Sequence, residues 1–217
     1  MLHHRLPDHL GVCEVDGRIL MLDLRRDRYL ELDPGTSSTM RRWRAGCGDL
    51  ADDPGLLRLV ERGMLVPARA HEPACWTACK VPGKSLIGRA PPPDRSACTV
   101  VPEIAVALWR TRRRLRRAGL EAAVSDIRRR KDIATAGDLL PHLSRFKAAR
   151  RLVPLTPNCL TDSLALAAFL SRRGVRSDLV FGVKLDPFAA HCWLQNDDAI
   201  LNDAADTVAT FTPILVV

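Results

Sequence analysis

Three residues in the C-terminal half, Cys159, His191 and Asp203, have the types and spacing to do covalent chemistry. A cysteine thiolate attacks a carbonyl carbon, an imidazole takes and returns the proton, and a carboxylate fixes the imidazole's tautomer. Together they describe acyl transfer through a thioester. Taken singly, each has a blander reading. A lone cysteine in an apolar helix is a small core residue, and a lone histidine on a strand is a satisfied structural one. Joint placement favours catalysis. Cys192, beside His191, is read as pointing to the opposite face and simply buried.

The elements that must position these groups follow from local signals. Thr156-Pro157 is a helix start, with Thr as the cap and Pro at the first helical position. Cys159 then falls in the first turn, where free N–H groups and the helix dipole favour a thiolate. Leu160, Leu164, Ala167, Ala168 and Phe169 continue a helix that is apolar nearly all round and therefore buried. Gly174, after Arg172-Arg173, stops it. Residues 190–195 read as a strand, Asn196-Asp197-Asp198 as a turn and 199–203 as the return strand. With the turn centred on residue 197, His191 and Asp203 are direct cross-strand partners, their Cβ atoms roughly 4.5–5.5 Å apart. A bulge at the three-residue turn would shift that register by one. Asp197 and Asp198 sit in the turn and Asp206 lies past the strand, so Asp203 is preferred. The backbone N–H of Cys159 is the expected first oxyanion donor, with Asn158 as the candidate second.

The chain has 217 residues, 47% of them hydrophobic, and a net charge of +8, which allows one large domain or two small ones. One Tyr and five Phe imply aliphatic cores. Seven cysteines, odd in number and irregularly spaced, point to a reducing cytoplasm. The first 17 residues lack an apolar signal-peptide core, and the apolar run 164–170 is too short to span a bilayer, so no membrane contact is expected. The arginine-rich runs 110–117 and 128–131 are read as solvated helix faces, the alternative being a docking surface for an acidic peptide, a partner protein or nucleic acid. His71, Cys75, Cys79 and Cys98 resemble a zinc set, but only Cys75 and Cys79 approach the required spacing; no metal and no cofactor are expected.

The N-terminal part has its own pattern. Residues 11–16, 18–23 and 28–33 read as strands, joined at Asp16-Gly17 and Arg25-Arg26-Asp27. A helix over 37–45 follows, with Met40 and Trp43 on one face. A second helix spans 55–62, capped by Asp53-Pro54 and ended by Gly63. Strands followed by helices suit a winged-helix-like module over 1–67. Residues 68–98, with Pro73, Pro82 and Pro91-Pro92-Pro93, read as a connector. The region 99–217 is the second domain, with helices near 101–118, 121–130 and 138–147. The expected fold class is α+β.

From residue 159 onward the chain resembles the transglutaminase-like cysteine peptidases of lasso-peptide biosynthesis, the B proteins. The matching pieces are Cys159-Leu160, Ser163-Leu164-Ala165-Leu166, Arg172-Arg173-Gly174, Gly182-Val183, Phe188-Ala189-Ala190-His191 with Trp193, and Asn202-Asp203. Through its strand–helix pattern, the N-terminal module resembles the precursor-recognition element of the same pathway. The resemblance implies a papain- or transglutaminase-like peptidase domain after a winged-helix-like module. It implies removal of the leader from a ribosomally made precursor, whose core an asparagine-synthetase-like lasso cyclase then closes. It also implies that the leader adds as a strand to Arg28, Tyr29, Leu30, Glu31 and Leu32, beside the helix carrying Leu57, Arg58 and Glu61. Two residues depart from the pattern. Asp162 stands where relatives often carry a basic residue and would disfavour a nearby thiolate, and Cys192 replaces a small residue. Two other readings use the same sequence: an acyl transferase that forms amides, and a winged-helix nucleic-acid-binding regulator.

Overall fold

The computed structural model describes residues 3–45, 53–68, 79–87, 95–131 and 138–217. They fall into two compact units, one of residues 1–78 with 212–215, the other of 79–211 with 216–217.

The first unit contains β1 (His3–Arg5), β2 (Leu10–Val15), β3 (Arg18–Asp23), β4 (Arg28–Glu31), α1 (Pro34–Arg44), α2 (Pro54–Glu61) and β5 (Val66–Ala68). Strands β2, β3 and β4 form an antiparallel sheet in that order, and β1 pairs with β5 separately. At the β2–β3 turn Asp16 and Gly17 take φ of 50° and 74°, the paired left-handed conformation that suits a tight hairpin. Asp33 caps α1 by accepting the Thr36 N–H at 3.0 Å, and Asp53 caps α2 by accepting the Gly55 N–H at 2.7 Å. In both helices proline follows the cap, where its missing N–H costs nothing. Val12, Ile19, Met21, Met40, Leu59 and Leu65 lie at the centre of one aliphatic core. The β1–β5 pair was not read from the sequence. Each strand has three residues, too few to show a period.

The second unit begins with residues 79–87, which the sequence reads as connector. The Ile200 N–H donates to Lys84 O, and the Leu86 N–H donates to Ile200 O, both at 2.9 Å. A 3₁₀ turn over Arg95–Val100 leads into α3 (Val101–Lys131), α4 (Leu139–Leu152), α5 (Cys159–Ser171), β6 (Asp178–Lys184), β7 (Ala189–Gln195) and α6 (Ala205–Val208); of β8 (Thr212–Val216), residues 212–215 are counted with the first unit. Helix α3 breaks at Gly119, with φ 77° and ψ −179°, where the sequence places the gap between two helices. Helix α5 packs against α3 on one side and β7 on the other. Its Leu164–Ala167 stretch, Phe169 and Leu170 are buried, as an all-round apolar sequence requires. Past its end, Gly174 takes φ 73°.

The sheet order is β7-β6-β8. The return strand expected over 199–203 is not formed. Ile200 alone bridges, antiparallel to Gln195 and parallel to Ser85, and that register is shifted by one from the expected pairing. After Leu201, whose N–H still donates to Leu194 O at 2.8 Å, the chain leaves the sheet. The next ladder position is taken by a side chain, because Asn202 Oδ1 accepts the Leu194 N–H at 2.7 Å.

Candidate active site

Helix α5 starts two residues later than a Thr156 cap implies. Asn158 has extended backbone (φ −148°) and its Oδ1 accepts the Thr161 N–H at 2.9 Å. Cys159 is therefore the first helical residue, exposed at the positive end of α5. Capping occupies the oxygen of Asn158 and leaves only Nδ2 as a donor for an oxyanion.

His191 lies on β7, an edge strand. Its Nε2 meets Asp203 Oδ2 at 2.5 Å, although the two residues are not backbone partners. Nδ1 is the ring nitrogen left for Cys159, which is the second cause, after Asp203, of the raised imidazole pKa. The imidazole is walled by Trp193, whose ring centroid is 6.2 Å away, and by Phe211 at 5.2 Å.

The Cys192 thiol, the His191 ring and the Cys192 backbone N–H all favour the Cys159 thiolate. Together they outweigh burial and bring its pKa down to about 4. Asp203 and then Cys159 raise His191 to about 9. Burial works to raise the Asp203 carboxyl, but its bonds to the His191 ring and the Ala204 N–H prevail and lower it. Between those limits the ionised pair, thiolate and imidazolium, is the ground state.

Cys192 is not simply core, as the sequence suggested. Strand alternation does put its side chain on the face opposite His191. However, both its thiol and its backbone N–H favour the Cys159 thiolate. The buried Cys192 thiol is itself held well above its ordinary pKa, by Cys159 first and by burial. Asp162 is also answered. Arg150 of α4 grips its carboxylate with Nε at 2.8 Å and Nη2 at 3.3 Å, and the Asn158 N–H donates to it at 3.2 Å. Arg150 further donates to the carbonyls of Val153 and Leu155. The charge expected to oppose the thiolate is thus neutralised, and it ties the α4–α5 connection to the first turn of α5.

In the first unit, β4 is an edge strand with Arg28, Leu30 and Glu31 exposed and Tyr29 half-buried; Glu31 is ion-paired to Arg18. Leu57, Arg58 and Glu61 are exposed on α2. Leu32 differs from the sequence reading. Its N–H donates to Ile19 O at 2.9 Å and its side chain joins the core, so it is not available to a peptide. Of the zinc-like set, His71 and Cys75 lie outside the described residues. The Cys79 sulfur accepts from Gln195 Nε2 at 3.0 Å, and Cys98 is exposed. The described residues hold no group of three or more metal-ligand side chains. Several arginines of the basic runs brace the helices. Arg114 pairs with Asp126 across the α3 break at 2.9 Å, and Arg112 donates to Thr156 O at 2.7 Å. No described helix is long and apolar enough to cross a membrane.

Residues 100–216 match the transglutaminase-like superfamily, and since the match covers more than half of the sequence, the chain belongs to that superfamily. A more particular similarity is to the microcin J25-processing protein McjB of Escherichia coli, 35% identical over 75 residues. That alignment covers 35% of this chain and 31% of the relative, so the chain spans about a third of that relative's length. Both findings support the resemblance to lasso-peptide B proteins drawn from the sequence. No solved structure matches the chain.

Proposed function

We propose that the protein is a cysteine peptidase that binds the leader of a lasso-peptide precursor and cleaves it off through Cys159, His191 and Asp203. The observation that carries this reading is the His191–Asp203 hydrogen bond, with Cys159, whose thiol pKa the same imidazole lowers, at a helix N-terminus. The Cys159 thiolate attacks the carbonyl after the last leader residue. Negative charge moves to the carbonyl oxygen, which faces the N-terminus of α5 and the Cys159 N–H. The His191 imidazolium gives its proton to the departing amine, and the core peptide leaves. Water then loses a proton to His191 and hydrolyses the leader thioester, restoring the thiolate–imidazolium pair. Asp203 holds the ring in its working tautomer throughout.

The leader would add as a strand along Arg28, Tyr29, Leu30 and Glu31, beside Leu57, Arg58 and Glu61 of α2, with main-chain bonds supplying affinity. Tethering it there raises the local concentration of the scissile bond. The remaining partner is the asparagine-synthetase-like cyclase that receives the core. A site built on low-pKa thiol chemistry suits the reducing cytoplasm.

Membership of the transglutaminase-like superfamily favours one second reading, in which the thiolate attacks a glutamine side-chain amide, ammonia leaves, and the resulting thioester passes to an amine. Incubation with a cognate precursor, followed by mass spectrometry, separates the two. Peptidase action gives two fragments that together exceed the precursor by one water. Transfer instead releases one ammonia. Cys159→Ala abolishes either; a mutant that still cuts would sink the reading.

A further inference from the structure

We propose that Asn202 is a positioning residue for this reaction, locking Asp203 against His191 by bridging α5 and β7. The inference rests on the peptidase reading above.

Both ends of the Asn202 carboxamide are engaged. Its Oδ1 accepts the Leu194 N–H at 2.7 Å, and its Nδ2 donates to Ser163 Oγ at 2.8 Å. Ser163 is fully buried and passes its own proton to Cys192 O at 3.3 Å. The two anchors therefore lie on the elements that carry the chemistry. Ser163 is one turn of α5 beyond Cys159, and Leu194 and Cys192 flank Trp193 on the strand that holds His191. An amide suits this position because it carries a donor and an acceptor on neighbouring atoms; a hydrocarbon would leave buried strand groups unpaired.

The bond to Leu194 also decides where Asp203 goes. A continued return strand would have placed a backbone carbonyl on that N–H, and strand alternation would then have fixed the direction of the next side chain. With Asn202 Oδ1 there instead, the backbone turns out of the sheet one residue before Asp203. From the other side, Ser85 Oγ donates to Asp203 O at 2.5 Å and the Ala204 N–H donates to Asp203 Oδ1 at 2.7 Å. Oδ2 is left for the imidazole. Removing the Asn202 amide releases the turn that delivers this oxygen, and small displacements of a catalytic group cost large factors in rate.

The test compares Asn202→Ala, Asn202→Asp and Ser163→Ala with wild type and Cys159→Ala on the precursor, with His191 titrated by NMR in each folded variant. Asn202→Ala is expected to lower kcat by about 10–100-fold with KM unchanged, and to move the His191 titration down towards the ordinary histidine range. Asn202→Asp keeps an acceptor for Leu194, and Ser163 can turn to donate to it, so its kcat should fall between those of alanine and wild type. Ser163→Ala deletes a hydroxyl alone and should shift both readouts in the same direction by less; it carries the test if Asn202→Ala does not fold. Unchanged kcat and unchanged His191 titration in the folded variants would overturn the assignment. If Cys159→Ala still cleaves, the peptidase reading itself fails; if it is inactive while the Asn202 variants are unimpaired, only this inference fails.

Discussion

At the scale of single residues, the site is an ion pair whose two members titrate far apart. Cys159 loses its proton above about pH 4 and His191 keeps its proton below about pH 9. Acyl transfer needs both states, so kcat/KM should be flat between those limits and fall on each side. Alkylation by iodoacetamide needs only the thiolate and should stay high above the acid limb. At pH 6, peptide mapping after brief alkylation should find Cys159 modified. Cys13, raised to about 12 by burial, and buried Cys192 should be spared. Cys192→Ala removes the strongest of the bonds that lower the Cys159 pKa. Its alkylation limb should move to higher pH, and a limb that stays put would contradict that role. His191→Ala should reduce kcat by about 10²–10⁴-fold. Cys159 and His191 were legible in the sequence because a helix start and a strand signal frame them, whereas Asp203 reaches His191 without the return strand expected for it. The part played by Cys192 was not legible. Alternation gives the face of a side chain, whereas the nearness of Cys159 and Cys192 comes from how α5 packs on β7.

At the scale of elements, the second unit aims its groups through close packing at β7. Gly182 on β6 pairs with His191. A Cβ there would stand 2.7 Å and 2.8 Å from Trp193 ring carbons and 3.0 Å from the Phe211 Cβ. Gly182→Ala therefore has to displace the aromatic walls of the imidazole. It should cost about 1–3 kcal/mol, seen as a lower Tm, and should lower kcat with it; a variant as stable and active as wild type would show that this packing is slack. Asn158→Ala should destabilise by about 1 kcal/mol through loss of the α5 cap, while Asn158→Ser, which can still cap, should lose little. If Asn158→Ser keeps its stability but loses activity, the side chain serves the oxyanion as well as the cap. Helices were legible from caps and breakers, with one slip. Thr156 and Asn158 are both good cap types, and the chain uses the one whose oxygen reaches the N–H three residues on. The return strand was misread because a side chain, Asn202, took a ladder position that alternation assigns to backbone.

At the scale of the whole molecule, recognition and chemistry are assigned to different units, so they should separate in kinetics. Leu30→Asp on the exposed edge of β4 should weaken leader binding about tenfold, equivalent to roughly 1.4 kcal/mol. Fluorescence anisotropy with a labelled leader reads that change, and kcat at saturating precursor should hold. Leu32→Ala should act differently, since that side chain is buried; it should cost about 2–5 kcal/mol of stability rather than affect binding selectively. The strand-then-helix module was legible because hairpin turns and caps are local signals. The place of residues 79–87 was not, because what holds them is Ile200 and Asp203, more than a hundred residues away.

The central claim is that the leader is carried, for part of each turnover, on one sulfur. Acid quenching of enzyme and precursor within the first turnover, followed by intact-mass measurement and peptide mapping, tests it directly. The expected product is enzyme heavier by the leader less one water, with the added mass on Cys159 and absent from Cys159→Ala. Cleavage that proceeds with no adduct on Cys159, or unchanged in its alanine variant, would contradict it.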